Sequence, residues 1–257
     1  MTSGAPGPRR RRASRHAASP PRSRVVVGVL GEILMTLGAL VLLFAVWQLW
    51  WTDVVAGRAQ AAEVSRVEQH FQDDPAIVTP TSGPSRGTSV RASEPEPTIA
   101  GDVFALIRIP RFGAGDVHPV VDGTSLADLR QGVGHYASTA LPGQVGNMAL
   151  AGHRTTWAKP FSRIDELRPG DAVVIETATA YVVYRVRSSE IVAPTDWAVV
   201  APVPDQPGEK PTQAWLTLTS CHPRYSARQR YVVHALLDHV YPRAQGLPAG
   251  LLTTVPS

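Results

Sequence analysis

The chain contains a single cysteine, Cys221, at the end of an apolar run, AWLTLTS, and before the polar stretch HPRYSARQR. One thiol cannot form an internal disulfide, so a disulfide framework is excluded. A thiol becomes a nucleophile when a cationic neighbour lowers its pKa and solvent can reach it. The end of a strand offers both a rigid backbone and an open loop, and Arg224, Arg228 and Arg230 follow within nine residues. A buried, inert cysteine is the alternative.

A thiol nucleophile also needs an acid/base partner and a group that stabilises an oxyanion. Eight histidines are present. His153 ends the apolar run NMALAGH beside Gly152 and opens the polar segment RTTWAKPF, a placement from which it can face a cleft. A solvated loop histidine is its bland alternative. His222 adjoins Cys221, but adjacent strand residues point to opposite faces, which makes it the poorer partner. Arg230 opens the run RYVVHALL, where a planar guanidinium can donate two parallel hydrogen bonds. His118, His135, His234 and His239 show no metal-ligand spacing, and no HExxH or Cys/His cluster occurs, so neither zinc nor any other metal or cofactor is expected.

These residues need a scaffold. From Gly101 onward, short β-branched runs recur between Gly, Pro and Asp: Val103–Ile109, Val117–Val121, Asn147–Ala151, Ala172–Thr177, Tyr181–Val192, Ala214–Thr219 and Tyr231–His239. Seven such runs predict a mainly β fold, a closed barrel or a sandwich. Thr124–Gly132 predicts a short helix with a Thr/Ser cap, apolar Leu126 and Leu129 and a Gly stop; Phe161–Leu167 predicts a helical turn.

The N-terminal part is of another kind. Residues 25–51 form an apolar run in which Glu32 is the only charge, ending in Trp47, Trp50 and Trp51. At about 1.5 Å per residue it can span roughly 30 Å of hydrocarbon, with the tryptophans as an interfacial belt. It exceeds the roughly 7–15 apolar residues of a signal peptide, the competing reading. Residues 1–24 hold seven arginines and no acid; removing those charges turns the formal +4 into −3. The basicity is that of a tail, so a nucleic-acid-binding face is not expected. The positive-inside rule places the tail in the cytoplasm and everything after Trp51 outside the cell membrane, in a single pass. Residues 52–72 can continue as a helix with a weak apolar face (Val54, Val55, Ala61, Val64, Val67). Residues 73–100 are rich in Pro, Ser, Thr and Glu and read as disordered. The organisation is therefore tail 1–24, anchor 25–51, partly disordered extracytoplasmic stalk 52–100, catalytic domain 101–242 and C-terminal tail 243–257.

The segment TLTSCHPRYSARQRYVV resembles the active-site strand–loop–strand of sortases, and GHYASTALPGQVGNMALAGHRTTWAKPFSRIDELRPGD resembles the sortase segment whose strand ends in the catalytic histidine. The combination is most similar to class E sortases of high-GC Gram-positive bacteria, across about residues 101–240. Ser220 stands where many members have Thr. The resemblance implies a closed β-barrel of about eight strands with a few short helices. It implies Cys221 as nucleophile, His153 as general acid/base and Arg230 as the oxyanion-stabilising arginine, with Arg228 the weaker candidate for that role. Tyr136 matches the tyrosine associated with LAxTG-type signals in place of LPxTG, and Thr219 and Ser220 would line the substrate site. The implied activity is that of a cysteine protease-like transpeptidase. It cleaves a C-terminal sorting signal between Thr and Gly and joins the surface protein to a lipid-linked peptidoglycan precursor amine. A peptidoglycan L,D-transpeptidase, whose usual SHGC-type signature is missing, a simple cysteine peptidase, and a non-catalytic membrane-anchored binding barrel are the alternatives.

Overall fold

The computed structural model describes residues 22–73, 103–248 and 250–252. Residues 1–21 of the basic tail, residues 74–100 of the segment 73–100 expected to be disordered, and the last residues of the C-terminal tail lie outside them; residues 22–24 and 73 belong to a helix. The chain divides into two compact units, Met1–Leu49 and Trp50–Ser257.

In the first unit, helix α1 (Arg22–Asp73) begins. Within this unit its side chains Leu30, Leu34, Leu37, Val41 and Phe44 are more than half exposed. The helix is long and apolar enough to cross a membrane. An apolar surface of this size is stable only against lipid or another apolar partner.

The second unit is a β-barrel with the last turns of α1 laid on it. Eight strands follow in chain order: β1 (Val103–Arg108), β2 (Val117–Asp122), β3 (Val133–His135), β4 (Gly146–Ala151), β5 (Ala172–Glu176), β6 (Ala180–Val192), β7 (Ala214–His222) and β8 (Gln229–Pro242). They close in the order β1-β2-β3-β4-β7-β8-β6-β5, so no sheet edge is left to template aggregation. The β2–β3 and β4–β7 pairs are parallel and the rest antiparallel. The seven β-branched runs all became strands. The missed strand, β3, has only three residues with a glycine in the middle, too short for a period of two to show. Gly134 is required there, since a Cβ would lie 2.4 Å from the Gly123 carbonyl oxygen.

Alternation along the strands fills the interior. Ile107, Met148, Leu150, Ile175, Tyr184, Leu216, Leu218, Val233 and Ala235 belong to one buried cluster. Buried tyrosine needs a hydrogen-bond partner, and the Tyr184 hydroxyl takes one from the Gly143 amide at 2.7 Å. Helix α2 (Leu126–Gln131) has the expected cap: Ser125 accepts from the Asp128 amide, while the Asp128 carboxylate accepts from the Ser125 amide. Leu126, read as part of an apolar face, is 72% exposed. The turn expected over Phe161–Leu167 is present as a 3₁₀ turn, Ile164–Glu166.

Residues 52–73 are helical, and their apolar face is stronger than its sequence pattern suggests. Ala56, Gln60, Val64, Val67 and Phe71 are buried, one per turn. Val64, Val67 and Phe71 cover Val103, Leu106 and Val121 on the outside of β1 and β2. Val55 and Ala61, counted in that face from sequence, are exposed. Arg108 ties the helix down, donating to Glu68 at 2.5 Å and Glu176 at 2.8 Å. Arg243, just after β8, donates to Glu176 and lies 4.8 Å from the Phe71 ring centre. Leu247, Leu251 and Leu252 of the C-terminal tail pack against Ala172, Val174 and Val183.

Candidate active site

Three neighbouring strands build the site. Cys221 lies near the end of β7, paired directly with Arg230 of β8. On the other side β4 runs parallel to β7, with Ala151 opposite Thr219. His153 follows Ala151 by the same two residues by which Cys221 follows Thr219. The ladder continues past the strand end, since the Gly152 amide donates to the Thr219 carbonyl at 3.1 Å. Cys221 is thus flanked by His153 and Arg230, on strands about 4.8 Å apart.

The three side chains share a face. Met148, Leu150, Leu216, Leu218 and Val233 point into the core. The period of two therefore turns Ala149, Ala151 and His153 outward on β4, Thr217, Thr219 and Cys221 on β7, and Arg230, Val232 and His234 on β8. Cys221 is partly exposed, so a substrate can reach it.

His153 is half-buried, and its Nε2 is a buried atom without a hydrogen-bond partner in the structure. Burial, reinforced by the nearby Arg130 guanidinium, pushes its pKa below the ordinary histidine value. The lowered pKa favours the neutral imidazole, whose Nε2 is left without a partner. Its backbone is held on both sides: the His153 carbonyl accepts from the Phe161 amide at 3.1 Å, and the Gly152 carbonyl accepts from the Ser220 hydroxyl at 2.8 Å. Arg230 donates through Nη1 to the carbonyls of Ala227 and Gln229, at 2.9 and 3.0 Å. Among the described residues its Nε and Nη2 have no partner and remain for an incoming acceptor. Arg228 is exposed within the loop, and its amide bonds the Ser226 hydroxyl.

Tyr136 and Thr219 meet beside this row. The Thr219 hydroxyl donates to the Leu150 carbonyl and accepts from the Tyr136 hydroxyl at 3.2 Å. Trp197, on the β6–β7 loop and 65% exposed, stands edge-on to Tyr136 with ring centres 6.5 Å apart. Trp197 carried no signal in the sequence. Ser220, expected to line the substrate site, does not: it is 4% exposed, on the face opposite Cys221, and its hydroxyl is spent on Gly152. It holds β7 to the strand that carries His153.

Sequence reasoning also missed Arg154. Its side chain is buried, and Nη1 donates to the Cys221 carbonyl at 3.3 Å and to His222 Nδ1 at 2.9 Å. Nη2 pairs with Asp165 at 2.6 Å. Strand β7 continues through His222, whose ring turns away from the Cys221 face and lies near Tyr231. Arg224 extends towards the same Asp165 at 3.6 Å, outside the Cys221–His153–Arg230 row. Arg154 therefore clamps the loop after Cys221 to the segment after His153.

Residues 107–238 match the Sortase domain family. Sortase SrtE1 of Streptomyces coelicolor is 36% identical over 250 residues, 94% of this chain and 66% of the relative. Sortase SrtE2 of the same organism is 33% identical, over 90% of this chain and 87% of the relative. The crystal structure of Sortase E1 from Streptomyces coelicolor with a tripeptide in the active site aligns with a TM-score of 0.54 and 39% identity, covering 59% of this chain and 97% of that one. The chain belongs to the sortase family of cysteine transpeptidases and is most similar to the family's class E members.

Proposed function

We propose that the chain cleaves a C-terminal sorting signal of the LAxTG or LPxTG type between Thr and Gly and transfers the protein to a cell-wall precursor amine. The observation that carries this is the row His153–Cys221–Arg230 on one outer face of three adjacent strands. The Cys221 sulfur attacks the Thr carbonyl carbon, and its proton passes to His153 Nε2. The carbonyl electrons move onto oxygen, where the free edge of Arg230 stabilises the charge. Collapse expels the glycine amine, which takes the proton from His153. A Cys221 thioester remains. The second amine attacks it with His153 as base, forming the new amide and returning the thiol.

Tyr136, Thr219 and Trp197 are in contact beside Cys221 and would hold the signal peptide. The tripeptide in the active site of the Streptomyces coelicolor Sortase E1 structure supports a peptide ligand. The basic tail and apolar helix support a single-pass anchor with the N-terminus in the cytoplasm and the barrel outside. There enzyme, tethered substrate and lipid-linked amine share one leaflet, which raises their effective concentration.

The full chain in detergent, given an LAxTG peptide and a free amine, tests the reading. Cys221→Ala, His153→Ala and Arg230→Ala each abolish amine-dependent transfer. Full activity of Cys221→Ala overturns the mechanism, and cleavage with no transfer to any amine indicates a peptidase.

A further inference from the structure

A second cluster lies further along the same strands. His234 is paired with Thr217 across β7–β8 and is only 3% exposed. Its Nε2 faces two carboxylates, Glu190 Oε1 at 3.1 Å and Asp205 Oδ2 at 3.6 Å. Glu190 comes from β6 and Asp205 from the β6–β7 loop, where its amide donates to the Ala198 carbonyl at 2.9 Å.

The hydrogen bonds behind His234 fix its tautomer. Asn147 Nδ2 donates to the Ala201 carbonyl at 2.9 Å and the Val199 carbonyl at 3.2 Å, so Asn147 Oδ1 is the atom facing Thr217. The Thr217 hydroxyl stands 2.8 Å from Oδ1 and 3.3 Å from the Val199 oxygen, both acceptors only, and must give its single proton to one of them. Towards His234 Nδ1, at 2.9 Å, Thr217 can then only accept, and Nδ1 carries the ring hydrogen. In the neutral ring Nε2 is a bare lone pair, buried and aimed at two anions. Three acceptors pointing at one spot need something positive between them, either a second ring proton on Nε2 or a metal cation, and zinc titration separates the two.

We propose that His234 Nε2, Glu190 and Asp205 bind a divalent transition-metal cation of the zinc class. The three ligand atoms lie within 4.8 Å of one another. Tetrahedral zinc with bonds of about 2.0–2.1 Å sets its ligands about 3.3 Å apart, between the two His234 distances. One imidazole and two carboxylates suit zinc better than calcium or magnesium, which take oxygen ligands in larger number. The Nδ1–H to Thr217 to Asn147 chain is the outer shell that orients a ligating histidine. The site would fasten the β6–β7 loop to the barrel wall. It is separate from the Cys221–His153 pair and does not depend on the proposed reaction.

The test is zinc titration of the untagged full chain in detergent against a chromophoric chelator, with calcium and magnesium as controls. One equivalent binds, and neither control ion at the same concentration displaces it. His234→Gln and the double variant Glu190→Gln/Asp205→Asn each lose it. Thr217→Val weakens it by about 10-fold or more, the usual effect of removing an outer-shell partner. Cys221→Ala retains it, which separates this site from the catalytic thiol. Glu190 and Asp205 side chains are 38% and 49% exposed, so their substitution leaves folding intact, as circular dichroism would confirm. Zinc that fails to bind, that survives both ligand variants, or that is lost only with Cys221 overturns the proposal. So does a His234 ring resonance that titrates with pH yet is unmoved by zinc.

Discussion

Cys221 and Arg230 face each other directly across the β7–β8 ladder. Directly opposed side chains on one face of an antiparallel pair have Cβ atoms about 4.5–5.5 Å apart. The guanidinium is therefore tied to the thiol by the barrel's register and not by the conformation of the intervening loop. Its Nη1 is already engaged by the Ala227 and Gln229 carbonyls, which fixes the plane of the fork.

That arrangement predicts that lysine cannot replace Arg230. A lysine keeps the charge but lacks the planar edge that remains after two donations to the loop. Arg230→Lys should lower kcat by roughly 10²–10³-fold, the effect of losing one oxyanion donor, with KM little changed. Steady-state kinetics with a sorting-signal peptide reads this. A lysine variant with wild-type kcat would reduce Arg230 to a source of positive field.

The second prediction concerns Gly152, which has no side chain for a physical reason. A Cβ there would lie 2.5 Å from Cδ2 of Phe161, a fully buried ring. Gly152→Ala must push either that ring or the strand end carrying His153. Overpacking of this kind costs about 1–3 kcal/mol of stability. Because His153 is the next residue, kcat/KM should fall by about 10²-fold, the penalty of misplacing a catalytic group by about 1 Å. A denaturation curve together with kinetics separates the two effects. Lost stability with unchanged kcat/KM would show that His153 does not depend on this strand end.

The barrel was legible because its strands leave a local trace, whereas the row of Cys221, His153 and Arg230 was legible only through the family resemblance of two segments. β-branched runs between Gly, Pro and Asp marked seven strands, and the lone cysteine after one of them drew notice to Cys221. Arg154 left no such trace: it is one arginine among many until the fold brings Cys221, His222 and Asp165 around it. Ser220 was misread for the complementary reason. It adjoins Cys221, but the strand's period of two turns it to the opposite face. The Glu190–Asp205–His234 cluster escaped because its members come from β6, a loop and β8, so their spacing has no motif. The docking of α1 was underread because Phe71, its largest buried side chain, lies near the end of the helix, beyond the apolar positions that the sequence pattern picked out.

That docking carries a third prediction. Phe71 is 2% exposed, seated with Val103, Leu106 and Val121 and capped by the Arg243 guanidinium. Phe71→Ala should destabilise the barrel unit by about 3–5 kcal/mol, through the cavity it leaves and the outer face of β1 and β2 that it uncovers. Chemical denaturation of the full chain in detergent measures this. A loss below about 1 kcal/mol would mean that the helix rests on the barrel without stabilising it.

The last prediction follows from the charge state of His153. Burial is the larger cause of its lowered pKa and Arg130 the smaller. Arg130 is held 4.7 Å from the Trp157 ring centre, so its guanidinium stays in place near the imidazole. The sign is fixed: a neighbouring cation disfavours the imidazolium, so removing it makes protonation easier and raises the pKa. In Arg130→Gln the His153 ring should titrate at higher pH than in the wild type, while remaining below an exposed histidine because the burial persists. The unfolded chain binds that proton more readily than the folded one, so the contribution of His153 to stability is present above the ordinary histidine pKa and is lost as pH falls from there through the lowered folded value. Arg130→Gln should reduce that acid-side loss. Ring resonances of selectively labelled histidine, followed through a pH titration of the wild type, Arg130→Gln and a His153→Gln assignment control, read the shift directly. A midpoint that stays fixed or moves down would mean that Arg130 does not set the protonation of His153.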